Sequence, residues 1–255
     1  MTASEFKYEF LQEYDKVANL SSPSYEDDEI SLFLTKGQER LVKRHYEEKS
    51  NRLREGFDST EKRKKDLSEL ISDSIDLNGV SKITVSTNQN GSLSNGVFYD
   101  LPTDLLYVVS EVAKLDIKDC DDNNIVAEVE PVTYDEFTSN IKNPFKKPYK
   151  DLVWRLDYSK VSPNTGKKRH ELVTDGTYNI LSYRMRYIRK PKPIIVSDLA
   201  ALPNPKTIEG ISAVTECELD SSLHREIISE AVSLALEVSQ EKRYQTQRQE
   251  TQLTE

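Results

Sequence analysis

The sequence predicts an α+β protein: N-terminal helices and a C-terminal helix form a helical bundle, and a β-rich region is inserted between them. Three observations carry this. Apolar residues recur at helical spacing up to Asn78-Gly79, the period changes to that of strands from about residue 80, and a long amphipathic pattern returns after Asp220. Helices at both ends of the chain need cover for their apolar faces, and the nearest cover is each other. The expected division is residues 1–80 with 211–255 as the bundle and a C-terminal arm, and 81–210 as the insertion.

Three helical patterns open the chain. Thr2 stands three residues before Glu5, a capping-box spacing, and Phe6, Phe10, Tyr14 and Val17 follow at helical intervals until Ser21-Ser22-Pro23. A second pattern starts at Ser24, with four acidic residues from Glu26 to Glu29 suited to a helix N-terminus. Its stripe is Ile30, Phe33, Leu34, Leu41, Val42 and His45, with Gly37 as the expected place for a bend. A third starts at Asp58, has Glu61 at the box position, and buries Leu67, Leu70, Ile71 and Ile75 before Asn78-Gly79 stops it.

Strand signals follow. Val80, Ile83 and Val85 lead into Asn88-Gln89-Asn90-Gly91 and Asn95-Gly96, a hairpin signature, and then to Val97-Phe98-Tyr99. Further strands are expected at 105–115, 125–132, 151–158, 169–174, 180–189 and 193–196, with a short helix at 133–141 and a rigid loop at Asn143-Pro144-Phe145-Lys146-Lys147-Pro148. The last helix is capped by Asp220 and aligns Leu223, Ile227, Ile228, Ala231, Leu234, Ala235 and Val238 on one face. After Ser239 the chain is rich in Gln and Glu with no apolar stripe; it is either a solvated extension or an arm that gains structure on a partner.

Composition narrows the function. Two cysteines, Cys120 and Cys217, without CxxC spacing argue against a zinc ribbon or disulfide scaffold and fit a reducing compartment. No run reaches the ~18 apolar residues of a membrane span, and Met1-Thr2-Ala3-Ser4-Glu5 does not resemble a secretory signal. The expected setting is the cytoplasm, or particles assembled there. The net charge is −9, yet residues 151–200 carry ten basic and five acidic side chains. Overall acidity disfavours wrapping of nucleic acid, while a local basic band suits an acidic neighbour.

Signatures of chemistry are weak. His45, His170 and His224 have no ligand at metal spacing, and they read as ordinary core or surface residues. Asp116, Asp119, Asp121 and Asp122 look like half a cation site, but an EF-hand needs Gly and Glu where Asp121 and Ala127 stand, so a solvated turn is expected. With no GxSxG, Walker A or GxGxxG motif, the expectation is a non-enzymatic chain with no catalytic residues, metal or cofactor.

The most distinctive stretch runs from Tyr183 to Pro193. On a strand, Arg184 and Arg186 project to one face and Tyr183, Met185 and Tyr187 to the other. Such a stripe serves either charged contacts between subunits or, as the alternative, a nucleic-acid-binding accessory protein that grips phosphates and stacks bases through residues 183–192. The side chains expected to meet partners are Arg184, Arg186, Arg189 and Lys190 here, and Arg243, Tyr244 and Arg248 in the tail.

Several segments, in order, carry a family likeness. They are Glu9-Phe10, Tyr14-Asp15-Lys16, and Leu32-Phe33-Leu34-Thr35-Lys36-Gly37-Gln38; then Leu101-Pro102-Thr103-Asp104 after a Phe98-containing strand; then Asn143 to Pro148, Tyr187-Ile188-Arg189-Lys190-Pro191 and Cys217-Glu218-Leu219-Asp220. From Phe6 to Tyr244 the chain resembles the ring-forming virion proteins of crAss-like bacteriophages, and more loosely the head-to-tail adaptors of podoviruses. The resemblance implies a homo-oligomeric ring of about twelve copies in the neck or tail of the virion. That ring would bind the portal protein and adjacent tail ring proteins, with genomic DNA passing through as cargo. It also implies ring contacts by helices at 24–54 and 220–243 and a docking arm at 239–255. It supplies no catalytic or metal residue.

Overall fold

The computed structural model describes residues 1–17, 25–47, 56–74, 83–84, 96–117, 125–140, 143–158 and 168–239. The predicted hairpin turn at 88–95, the aspartates from Asp119 to Asp122, Cys120, and the tail with Arg243, Tyr244 and Arg248 lie outside them. Helices and one sheet make an α+β protein, divided into two compact units: residues 1–70 with 191–255, and residues 71–190.

In the first unit, helix α1 (Ala3–Val17) begins with the expected reciprocal cap: Thr2 N donates to Glu5 Oε2 at 2.8 Å and Glu5 N to Thr2 Oγ1 at 3.4 Å. Phe6, Phe10 and Tyr14 are buried. Helix α2 (Asp27–Tyr46) is capped by Glu26 and Glu29, and the whole predicted stripe from Ile30 to His45 is buried. Both helices pack on α5 (His224–Ser239), which continues from a 3-10 turn capped by Asp220. Helix α2 runs through Gly37 without a break. A Cβ there would sit 3.0 Å from Ile227 O and 3.2 Å from Ala231 N, so the missing side chain lets α5 approach closely.

Segment 193–196 is not a sheet strand. Side chains of α2 satisfy part of its backbone: Ser31 Oγ accepts from Val196 N at 3.1 Å, Thr35 Oγ1 accepts from Ile194 N at 3.2 Å, and Gln38 Nε2 donates to Lys192 O at 3.2 Å. These three polar residues, a helical turn apart and buried, form a ladder on one side of the segment, while on the other Ile195 exchanges backbone hydrogen bonds with Thr215 in an isolated antiparallel bridge.

The third predicted helix is shorter than expected. Helix α3 (Glu61–Asp66), capped by Thr60, gives way to a 3-10 turn and then to strand β1 (Ile71–Ser74). Ile71 and Asp73 take extended backbone because they pair with Ile188 and Arg186.

The second unit is a sheet of β1, β2 (Ile83–Thr84), β3 (Gly96–Asp100), β4 (Leu105–Ile117), β5 (Ile125–Pro131), β6 (Leu152–Tyr158), β7 (Arg169–Val173) and β8 (Tyr178–Arg189). Its order is β1-β8-β4-β5-β6-β7-β3-β2. Among the described strands only β5 and β6 pair in parallel, and helix α4 (Tyr134–Asn140) connects them, as a parallel pair requires. Tyr183 of β8 lies 5.3 Å, ring to ring, from Tyr99 of β3, although four strands separate β8 from β3 in the sheet order. The sheet therefore curls over one core that joins Tyr99, Leu115, Val153, Leu172, Tyr183 and Met185. Between Ser182 and Ile180 the pairing with β4 skips Leu181, a β-bulge.

Candidate functional site

On β8 the structure shows the alternation that the sequence predicts. Tyr183, Met185 and Tyr187 are buried in the curl, while Arg184 and Arg186 are exposed on its outer face. Neighbouring strands surround the two arginines through register: Arg186 stands opposite Asp73 on β1 and Ser110 on β4, and Arg184 opposite Val112. Arg186 Nε donates to Asp73 Oδ1 at 3.0 Å, with both side chains more than half exposed. Asp73, Ser110, Val112, Arg184 and Arg186 line an open groove of about 370 Å³. Arginines on alternate residues of one strand have Cα atoms about 7 Å apart, and their planar guanidinium groups are of a kind that binds carboxylates, as Arg186 does with Asp73.

The outer face is covered unevenly. Over β6 and β7, Phe137 of α4 packs on Trp154, Leu156 and Val173, with the Phe137 and Trp154 rings edge to face at 5.9 Å. Over β4 and β5, Val112, Lys114, Val126, Glu128 and Glu130 are exposed.

Inside the curl, side chains from four strands meet. The Glu111 carboxylate accepts from the Tyr183 hydroxyl and from Arg155. His170 Nδ1 lies 3.0 Å from the Tyr183 hydroxyl, and its Nε2 lies 3.3 Å from Asp157, which Arg155 Nε also approaches at 3.1 Å. Burial, reinforced by the Arg155 charge, holds the His170 imidazole down to about 3. Burial also pushes the Glu111 carboxyl up, against the pull of Tyr183 and Arg155, and keeps Tyr183 well above its usual range. These groups hold one another and are buried except for Asp157, so they brace the curl.

A second cluster lies in the helical unit. His45 Nδ1 is 3.3 Å from Asp66 Oδ2 and its Nε2 is 3.6 Å from Glu226 Oε2. All three histidines are buried core residues. Among the described residues, no three His, Cys, Asp or Glu side chains are grouped to hold a metal, and no helix is long and apolar enough to cross a membrane.

Of the residues predicted to meet partners, the structure brings together Arg184 and Arg186. Arg189 and Lys190 lie at the far end of β8, where Arg189 pairs with Leu105 and Lys190 N donates to Asp104 O at 2.6 Å. Asp73, Ser110 and Val112 carry no signal in the sequence: register alone sets them beside the arginines.

A family model described as "Phage tail ring protein 3/4" matches residues 1–249. The chain is similar to "Ring protein 4/5" of Bacteroides phage crAss001, at 33% identity over 235 residues covering 92% of each chain. It is also similar to "Ring protein 3" of the same phage, at 34% identity over 243 residues, covering 92% of this chain and 95% of the relative.

Proposed function

Because this chain belongs to the phage tail ring protein 3/4 family, we propose that copies of it close into a non-enzymatic ring of about twelve in the virion neck or tail. The ring connects the portal protein to adjacent tail ring proteins, and its bore carries the genome during ejection. The family match across residues 1–249 is the observation that supports this reading most directly.

The physical chemistry agrees with it. A ring closes through head-to-tail contacts in which two unlike faces of one chain meet. A chain with net charge −9 that concentrates basic side chains in residues 151–200 supplies such faces. Arg184, Arg186, Arg189 and Lys190 make partner contacts in this reading, and α1, α2 and α5 act as a bundle for lateral packing. Arg243, Tyr244 and Arg248 serve the arm that docks on the portal. Carboxylates around the bore repel phosphates and let DNA slide.

Native mass spectrometry of the purified chain, alone and with portal protein, tests the reading. A single closed species, formed alone or on the portal, is the expected result. A chain that stays monomeric beside every virion component overturns it, and steep salt-dependent binding of DNA by that monomer would favour an accessory nucleic-acid-binding role instead.

A further inference from the structure

The loop before β6 ends in a built protrusion. Phe145 is 96% exposed and Tyr149, four residues on, is 64% exposed. The loop is held open by its own bonds: Phe145 N donates to Asn143 Oδ1 at 3.0 Å, and Lys146 N and Lys147 N donate to Asn143 O at 3.1 and 3.0 Å. Pro144 and Pro148 restrict the backbone on either side, with Pro148 buried as the anchor. Lone exposed apolar residues are commonplace. A phenylalanine fixed at the tip of a braced loop, whose Tyr149 ring packs edge to face on Tyr178 at 6.4 Å and which carries lysines at 146, 147 and 150, is preorganised for contact.

The same unit carries a surface of matching chemistry. On the half of the outer sheet face that α4 leaves uncovered, Val126 is 61% exposed and Val112 is 38% exposed. Glu128 stands opposite Val112, and Glu130 follows on the same face of β5; both carboxylates are exposed. Lys114, opposite Val126, sets the direction of approach, because the loop lysines avoid that end and meet Glu128 and Glu130.

We propose that Phe145 of one copy seats on the Val112–Val126 patch of the next copy, with Lys146 and Lys147 paired to Glu128 and Glu130. This rests on the ring reading and specifies its contact. Knob and patch are unlike surfaces, so the contact is head-to-tail and propagates around a ring. Phe145 does not cover the patch of its own chain, since it is almost fully exposed.

The test compares the oligomer of the full chain by native mass spectrometry with those of Phe145→Ala, of Lys146→Glu/Lys147→Glu, and of Glu128→Lys/Glu130→Lys. Both charge variants are expected to lose the oligomer singly and to regain it when mixed, as complementary interfaces do. Phe145→Ala is expected to raise the concentration needed for assembly about thirtyfold. All the substituted positions are exposed, and far-ultraviolet circular dichroism checks that the fold is unchanged. If the unaltered chain forms its oligomer and every variant forms it equally well, the knob contact is wrong and the ring stands. If the unaltered chain forms no oligomer, alone or on the portal, the ring reading and the contact fall together.

Discussion

The Tyr183 hydroxyl lies 3.0 Å from His170 Nδ1, joining strands that stand second and sixth in the sheet order. The contact closes the curl, and it leads to the first prediction. Tyr183→Phe removes the hydroxyl that both Glu111 and His170 use, without changing the ring. Chemical denaturation should show a loss of about 1–3 kcal/mol, the usual cost of orphaning a buried polar partner.

The same network makes stability depend on pH. His170 titrates at about 3 in the folded chain, against an ordinary 6.5. As pH falls below about 6.5 the unfolded chain takes up the proton first, so stability drops between about 6.5 and 3 and this group adds no further loss below that. Glu111 acts in the opposite direction: its raised carboxyl favours the fold below its ordinary range and loses that advantage as pH rises through the raised value. Denaturation midpoints measured from pH 7 down to pH 4 should fall less steeply for His170→Asn than for the unaltered chain.

A buried ion pair gives a larger effect. Arg169 Nε donates to Asp100 Oδ1 at 2.9 Å, and the Asp100 side chain is 1% exposed. Arg169→Met removes the cation that compensates that buried carboxylate and should cost about 3–5 kcal/mol. Arg169→Met combined with Asp100→Leu should recover most of the loss, as read from the urea midpoint at constant slope.

Gly37 should not tolerate a branched side chain. The atoms a Cβ would meet are the backbone of α5, which cannot swing aside. Gly37→Val should lower stability by about 1–3 kcal/mol through overpacking, measured by thermal unfolding.

The outer arginines should behave in the reverse manner. Arg184→Ser with Arg186→Ser breaks a pair exposed to water, so monomer stability should change by no more than about 1 kcal/mol. Assembly of the oligomer should weaken and lose part of its salt dependence, as followed by sedimentation at two ionic strengths.

Elements were legible where periodicity was strong. The buried stripes of α1, α2 and α5, and the strands from β3 to β8, lie where spacing put them, except that Val238, expected on the apolar face of α5, is 66% exposed near the helix end. The stretch from Leu67 to Ile71 was misread because its apolar residues also fit a helix; pairing of Ile71 with Ile188, 117 positions away (188 − 71), decides otherwise. The segment 193–196 was misread because a run of Ile and Val signals a strand without saying which polar groups will satisfy it. For the candidate site, alternation revealed the two faces of Arg184 and Arg186. It gave no notice of Asp73 or of the Tyr183–His170 closure, which depend on register between distant segments.

The extra residue at Leu181 has one more implication. Core-facing positions of β8 are odd-numbered on one side of it, at Tyr183, Met185 and Tyr187, and even-numbered on the other, at Ile180 and Tyr178. Deleting that single leucine would leave Ile180 and Ser182 consecutive opposite Leu115 and Lys114, so tyrosines and guanidinium groups would keep their sides and only the local kink would be lost. The looped-out leucine thus lets one surplus residue be carried without disturbing which side chains the interior receives.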